Sequence, residues 1–136
     1  KRSGSIVNIS SMQGMIGMNP WLYEGTAMTI PPDYFFHKGG MLNLTRHLAA
    51  HYGASGVRVN AISPGGIYNP ANPQAPAFLE RYGKMTMLGR MAEASEVTGA
   101  VVFLLSDAST YITGTNLVVD GGYTRNLTSL TPRTAQ

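Results

Sequence analysis

A tyrosine and a lysine four positions apart, Tyr34 and Lys38, are the residues here whose types and spacing could do chemistry. On a helix such positions lie on one face a turn apart, so the ammonium would sit close to the phenol. A positive charge within a few ångströms favours phenolate. A phenol, ordinarily ionising near pH ~10, needs that help to exchange protons near neutrality. Ser10 ends a β-branched run at 5–10 and Ser11 follows it. Ligands of a parallel sheet gather at the carboxyl ends of its strands, which is where these hydroxyls fall. Ser63-Pro64-Gly65-Gly66-Ile67 leaves a second apolar run, 57–62, at an equivalent place. Its glycines let backbone approach a ligand, and Pro64 fixes the turn.

These groups need a frame, and the spacing predicts an α/β one. A long helix is expected over 33–53, with Asp33 as its N-cap after Pro32 and Gly53 and Gly56 stopping it. Met41, Leu44, Leu48 and Tyr52 recur near the helical period and mark its buried stripe. Gly39 and Gly40 each cost about 1 kcal/mol inside a helix, which implies close approach of a cofactor or a neighbouring helix. Strands are expected at 5–10, 57–62 and 116–120. The helix joining the first two makes them parallel. A second main helix spans 94–105, apolar at Val97, Ala100, Val101, Leu104 and Leu105.

The connections are read by their breakers. Pro20, Gly25, Pro31 and Pro32 make 18–32 a loop, and Trp21, Tyr23 and Glu24 either meet a polar ligand there or pin the loop to the surface. Residues 68–91 are rich in Pro, Asn, Gly and Met, with a short helix at 77–82, and read as a mobile lid opposite the fixed wall of 18–32. Residues 124–136 read as a frayed polar tail. The first strand opens within a few residues of Lys1 and calls for neighbours on both sides. Three strands with two main helices make a thin sheet, so a fragment of a larger domain is expected.

Composition narrows the class. With 43% hydrophobic and 12% charged residues, the 136-residue chain has globular balance. Its net charge of +3 comes from scattered lysines and arginines, with no basic stripe, so no nucleic-acid partner is expected. There is no cysteine, hence no disulfide or thiolate metal site, and no metal is expected. No apolar run reaches the roughly 18 residues of a membrane span. A cytoplasmic location is the expectation.

Ile6-Val7-Asn8-Ile9-Ser10-Ser11, Tyr34-x-x-x-Lys38-Gly39-Gly40, Gly56-Val57-Arg58-Val59-Asn60-Ala61-Ile62-Ser63-Pro64-Gly65, Phe103-Leu104-Leu105-Ser106-Asp107, Ile112-Thr113-Gly114 and Val119-Asp120-Gly121-Gly122 stand in order along the chain. Together they resemble the C-terminal half of a compact short-chain dehydrogenase/reductase. The resemblance implies a doubly wound Rossmann-type parallel sheet and NAD or NADP as cofactor. The implied reaction is hydride transfer between the nicotinamide and a carbonyl or alcohol carbon of a small, sugar-like substrate. Ser11 would hydrogen-bond the substrate oxygen, with Ser10 the other candidate. Tyr34 would exchange its proton, and Lys38 would hold the nicotinamide ribose while easing Tyr34 ionisation. Pro64, Gly65, Gly66 and Ile67 would pass beside the nicotinamide, and Gln13, Tyr23 and Glu24 would meet the substrate.

The same resemblance sets what lies outside. Residues 1–123 correspond to the C-terminal half of the domain. The glycine-rich nucleotide loop, the Asn-Ala-Gly segment and the catalytic asparagine belong upstream, so the chain by itself is expected to be inactive. Asn69 stands where the family often has a threonine that contacts the diphosphate. The stretch between Ser11 and Tyr34 is longer than compact members show, which resembles the extended branch of nucleotide-sugar epimerases and dehydratases. The ending Val119-Asp120-Gly121-Gly122 instead fits a compact reductase with an enlarged loop. A non-catalytic truncated or oligomerisation fragment is the third reading. In the whole protein, pairing into a homodimer or homotetramer through the Tyr34 helix and the last helix and strand is implied.

Overall fold

Three parallel strands carry the site, and the computed structural model describes them within residues 3–126. They are β1 (Gly4–Ile9), β2 (Val57–Pro64) and β3 (Asn116–Val119), in the order β1-β2-β3. Ile6 lies opposite Val59, and Ile62 opposite Leu117. Parallel neighbours need a crossover, and helices supply it: α1 (Pro32–Tyr52) between β1 and β2, then α2 (Pro76–Met85) and α3 (Ser95–Leu105) before β3.

β2 is the buried middle of this sheet. Val59, Asn60, Ala61, Ile62 and Ser63 are all fully buried, as a parallel strand covered on both faces requires. The pleat sends Ile62 against Val97 and Leu104 of α3. On the opposite face Asn8, paired with Ala61, donates from Nδ2 to Thr45 Oγ1 of α1 at 2.9 Å. One helix on each face is the doubly wound arrangement the resemblance implies. The buried amide of Asn60 is satisfied at both ends, donating to the Ile112 carbonyl (2.9 Å) and accepting from the Thr115 N–H (3.1 Å). Arg58 donates to the Leu104 and Ser106 carbonyls at 2.9 and 3.1 Å, a cation placed where α3 leaves its last acceptors unpaired.

Several expectations are corrected. Asp33 is not the N-cap of α1. Pro32 takes the first helical position, where its missing N–H is not needed, and Asp33 falls inside the first turn. The buried stripe of α1 is Leu42, Thr45 and Ala49, while Leu44 (50%) and Tyr52 (42%) are exposed. Thr45 suits that face because its hydroxyl also donates to the Met41 carbonyl at 2.8 Å. Leu105 likewise turns outward from α3. Close approach does occur at Gly39, where a Cβ would lie 3.4 Å from the Gly14 carbonyl, but the neighbour is a 3-10 turn, Met12–Gly14, and nothing crowds Gly40.

Residues 68–91 are not a cheaply opened lid. They contain α2, longer than the expected 77–82, whose Phe78, Tyr82 and Met85 recur at helical spacing. These three join Met12, Leu22, Met91 and Tyr123 in one cluster. Opening α2 would expose side chains each worth about 1.5–3 kcal/mol of burial. The expected tail also begins later than 124. Thr124 donates to Asp120 through N and Oγ1 (2.8 and 2.6 Å), and Asn126 Nδ2 donates to the Met85 carbonyl at 3.0 Å. The rest of that stretch, 127–136, lies outside the described residues. Among the described residues no helix is long and apolar enough to cross a membrane, and no group of three His, Asp or Glu could hold a metal ion.

Candidate functional site

The carboxyl ends of β1 and β2 open into a cavity of about 550 Å³. Ser10, Ser11, Gln13, Tyr23, Tyr34 and Lys38 line it, and so do Pro64, Gly65, Gly66 and Ile67. The strand ends deliver the serines and the Pro64 turn, the first turns of α1 deliver Tyr34 and Lys38, and the loop before α1 delivers Tyr23.

Lys38 is fixed by the strand beside it. Its Nζ donates to the Ile9 carbonyl at 2.9 Å and lies 5.6 Å from the centre of the Tyr34 ring. An ammonium has three donors, so two remain beyond the bond to Ile9. The two serines differ in what their hydroxyls do. Ser10 Oγ donates to the Lys38 carbonyl at 2.8 Å, which ties the end of β1 to α1. Ser11 Oγ only accepts, from the Gln13 N–H at 3.1 Å, so its proton is left for a ligand oxygen. That contrast favours Ser11 over Ser10 as the donor.

Glycine at 65 and 66 answers to the chain itself. A Cβ on Gly65 would come within 2.9 Å of Asp120 Cα and the Tyr82 hydroxyl, and one on Gly66 within 2.8 Å of Tyr82 and Met91. The Gly66 N–H donates to the Tyr82 hydroxyl, so α2 holds the Pro64 turn from behind. Tyr82 escaped the sequence reading. Its signal was the helical spacing of Phe78, Tyr82 and Met85, hidden by the surrounding prolines.

Glu24 is not among the residues that line the cavity. Arg81 donates to the backbone carbonyls of Trp21 and Glu24, pulling that loop onto α2 and leaving the Glu24 carboxylate in solvent, outside the cavity lining. Trp21 instead stacks near the Arg81 guanidinium, 5.7 Å from ring centre. Tyr23 does reach the cavity. Burial, then the neighbouring Tyr34, push its phenol above the ordinary value, so it acts there as a neutral hydroxyl.

Burial also raises Tyr82 well above the usual range and pushes Tyr123 up to about 12. An unfolded tyrosine ionises near ~10, while these two keep their protons in the folded state. Stability supplied below pH ~10 is therefore lost as pH rises beyond it. The thermal midpoint of the full-length protein should hold to about pH 10 and fall above it. Replacing both tyrosines by phenylalanine should flatten that alkaline limb; an unchanged limb would refute the assignment.

Comparison with known proteins gives a consistent set. The family model described as enoyl-(acyl carrier protein) reductase matches residues 1–124. Galactitol 2-dehydrogenase (L-tagatose-forming) of Cereibacter sphaeroides is 40% identical over 125 residues, covering 90% of this chain and 46% of that protein. A short-chain dehydrogenase from Leptospira borgpetersenii, solved with bound NAD+, superposes with a TM-score of 0.81 at 39% identity, over 89% of this chain and 44% of that one. A gluconate 5-dehydrogenase from Burkholderia cenocepacia, solved with NADP and tartrate, superposes with a TM-score of 0.79 at 30% identity, over 93% and 47%. The chain thus spans under half the length of each of these relatives.

Proposed function

Because the chain belongs to the short-chain dehydrogenase/reductase family, we propose that the whole protein is an NAD- or NADP-dependent oxidoreductase acting on a small polar alcohol or carbonyl compound. The observation that carries this reading is the convergence of Ser11, Tyr34 and Lys38 on one cavity with the Pro64 turn. The donor set suits a nicotinamide dinucleotide. Lys38 keeps two N–H donors for ribose hydroxyls, and Pro64, Gly65, Gly66 and Ile67 present backbone along the same wall. When bound, the cofactor supplies the two-electron acceptor or donor. The upstream half of the domain would hold its adenosine end.

The chain's own residues then handle the oxygen and its proton. Ser11 donates its free hydroxyl proton to the substrate oxygen and orients the reacting carbon. Tyr34 takes the alcohol proton in oxidation and returns it in reduction, as a general base or acid. Lys38, tethered to Ile9, holds a fixed positive charge beside that phenol and stabilises the oxygen while it is negative. Pairing of copies through α1 belongs to the same reading, supported by the outward Phe36 (76% exposed), Leu44 and Tyr52 on that helix.

Full-length protein should bind NAD(H) or NADP(H) in titration calorimetry and show cofactor-linked absorbance change at 340 nm (order-of-magnitude turnover ~1–10³ per second) with hydroxylated substrates. Binding of neither cofactor would refute the reading.

A further inference from the structure

The hydrogen-bond ladder between β1 and β2 stops where the reacting groups begin. At its upper end the Ser10 N–H donates to the Ile62 carbonyl at 2.8 Å, and the next rung would need an N–H that Pro64 lacks. Beyond that point the two chains part. Ser11 leads into the Met12–Gly14 turn, while the Gly65 N–H donates away from β1, to the Val119 carbonyl of β3 at 2.9 Å. The turn that carries Ser11 and the turn after Pro64 therefore need something other than the sheet to hold them at a set distance.

One side chain bonds both. The Tyr82 hydroxyl accepts from the Gly66 N–H and donates to Met12 Sδ at 3.8 Å. Met12 is the residue directly after Ser11. A thioether is a weak acceptor, so the bond to Gly66 is the stronger of the two. A phenol has a single proton, and this one is given to Met12, so Tyr82 offers no proton to a substrate although it borders the cavity. Its oxygen has a fixed place. The residue is 2% exposed, and its ring lies between those of Phe78 and Tyr123, with centres 5.8 and 5.2 Å away.

We propose that Tyr82 is a positioning residue whose hydroxyl sets the spacing between the Ser11 turn and the Pro64 turn, and through them the spacing between the substrate oxygen and the nicotinamide. This rests on the oxidoreductase reading and adds to it a residue from α2. Tyr82 touches neither reacting atom. It acts through the backbone of Gly66 and the side chain of Met12. Hydride transfer is steep in the separation of its two carbons, and a misplacement near 1 Å can cost about 10²-fold in rate.

The test uses full-length protein and two variants, Tyr82→Phe and Met12→Leu. Phenylalanine keeps the ring and its packing, so Tyr82→Phe isolates the hydroxyl. Without cofactor, hydrogen exchange at the Gly66 amide should speed up by about 10-fold or more in Tyr82→Phe, with the Val59 and Ala61 amides unchanged. Calorimetry with NAD+ and NADP+ should show the Kd of the preferred cofactor raised by about 3- to 10-fold. Single-turnover hydride transfer per bound cofactor, with the fastest alcohol among hexitols and cyclohexanol, should slow by about 10- to 100-fold. Its pH dependence should not move, because Tyr34 and Lys38 keep their contacts. Met12→Leu loses only the sulfur acceptor, so it should slow hydride transfer less, with Gly66 exchange as in wild type. A Tyr82→Phe rate per bound cofactor within twofold of wild type, with only the thermal midpoint lowered, would overturn the inference and leave the oxidoreductase reading standing. If Tyr82→Phe does not fold, Met12→Leu decides, and a wild-type rate there overturns the inference as well. Wild type that binds neither cofactor and turns over no alcohol would remove both.

Discussion

Tyr34→Phe in the full-length protein should cut turnover by 10²- to 10⁴-fold, about 3 to 5 kcal/mol of barrier, while leaving the fold intact. The substitution removes one hydroxyl from a ring that is 36% exposed and keeps the edge-on contact of that ring with Phe35. Surface changes of that kind alter stability by less than about 0.5 kcal/mol, so the thermal midpoint should barely move. Substrate KM should change little, because Ser11 and the cavity wall keep their contacts. Lys38→Met is the informative companion. It strips the fixed charge from beside the phenol and two donors from the cofactor side, so it should lower turnover and raise the KM for the cofactor together. Single-turnover rates on cofactor-saturated protein would separate the two. Near wild-type turnover in Tyr34→Phe would sink the assignment of Tyr34 as the proton-exchanging group.

The sheet and its two covering helices were legible because they obey short-period rules. β2 reads as an apolar run bounded by Gly56 and Pro64, and α1 runs for 21 residues between prolines and glycines. The i, i+4 relation of Tyr34 and Lys38 needs only that helix to exist. What could not be read depends on contacts across long stretches of sequence. Leu44 and Tyr52 look like core by size, yet the sheet is met by Thr45, and only the position of Asn8 on β1 explains why a hydroxyl belongs there. Proline content suggested mobility for 68–91, whereas the stability of α2 comes from Met12 and Leu22, far away in the chain. The bond from Gln74 Nε2 to the Ile67 carbonyl likewise carries no local signal.

The same packing bears on the stretch between Ser11 and Tyr34. It is tied by Arg81 to α2, and α2 in turn holds Gly66 through Tyr82. The loop packs on α2 through Leu22 and Tyr23, and the Pro64 turn meets the same helix through the Tyr82 hydroxyl. A change in the loop that disturbs Leu22 will be felt at Pro64 and Ile67 as well as at the substrate.

Gly14→Ala should be damaging although Gly14 lies outside the reacting groups. A Cβ at Gly14 would lie 2.7 Å from both the carbonyl carbon and oxygen of Lys38, and 3.0 Å from Ser10 Oγ. Backbone cannot give way as a flexible side chain can, so the Met12–Gly14 turn must move off α1, at about 1–3 kcal/mol for an overpacked contact. The same Lys38 carbonyl accepts the Ser10 hydroxyl, so this is the junction that sets the serines against Tyr34. Displacements near 1 Å can cost about 10²-fold in rate when reacting groups must be aligned. The expected result is a fall of that order in turnover with a drop in thermal midpoint, and with cofactor affinity less affected than turnover. Ser10→Ala on the same background should not rescue it, because the clash is with the Lys38 backbone and Ser10→Ala also removes the bond that docks the turn. Turnover within twofold of wild type in Gly14→Ala would mean that the junction does not align the site.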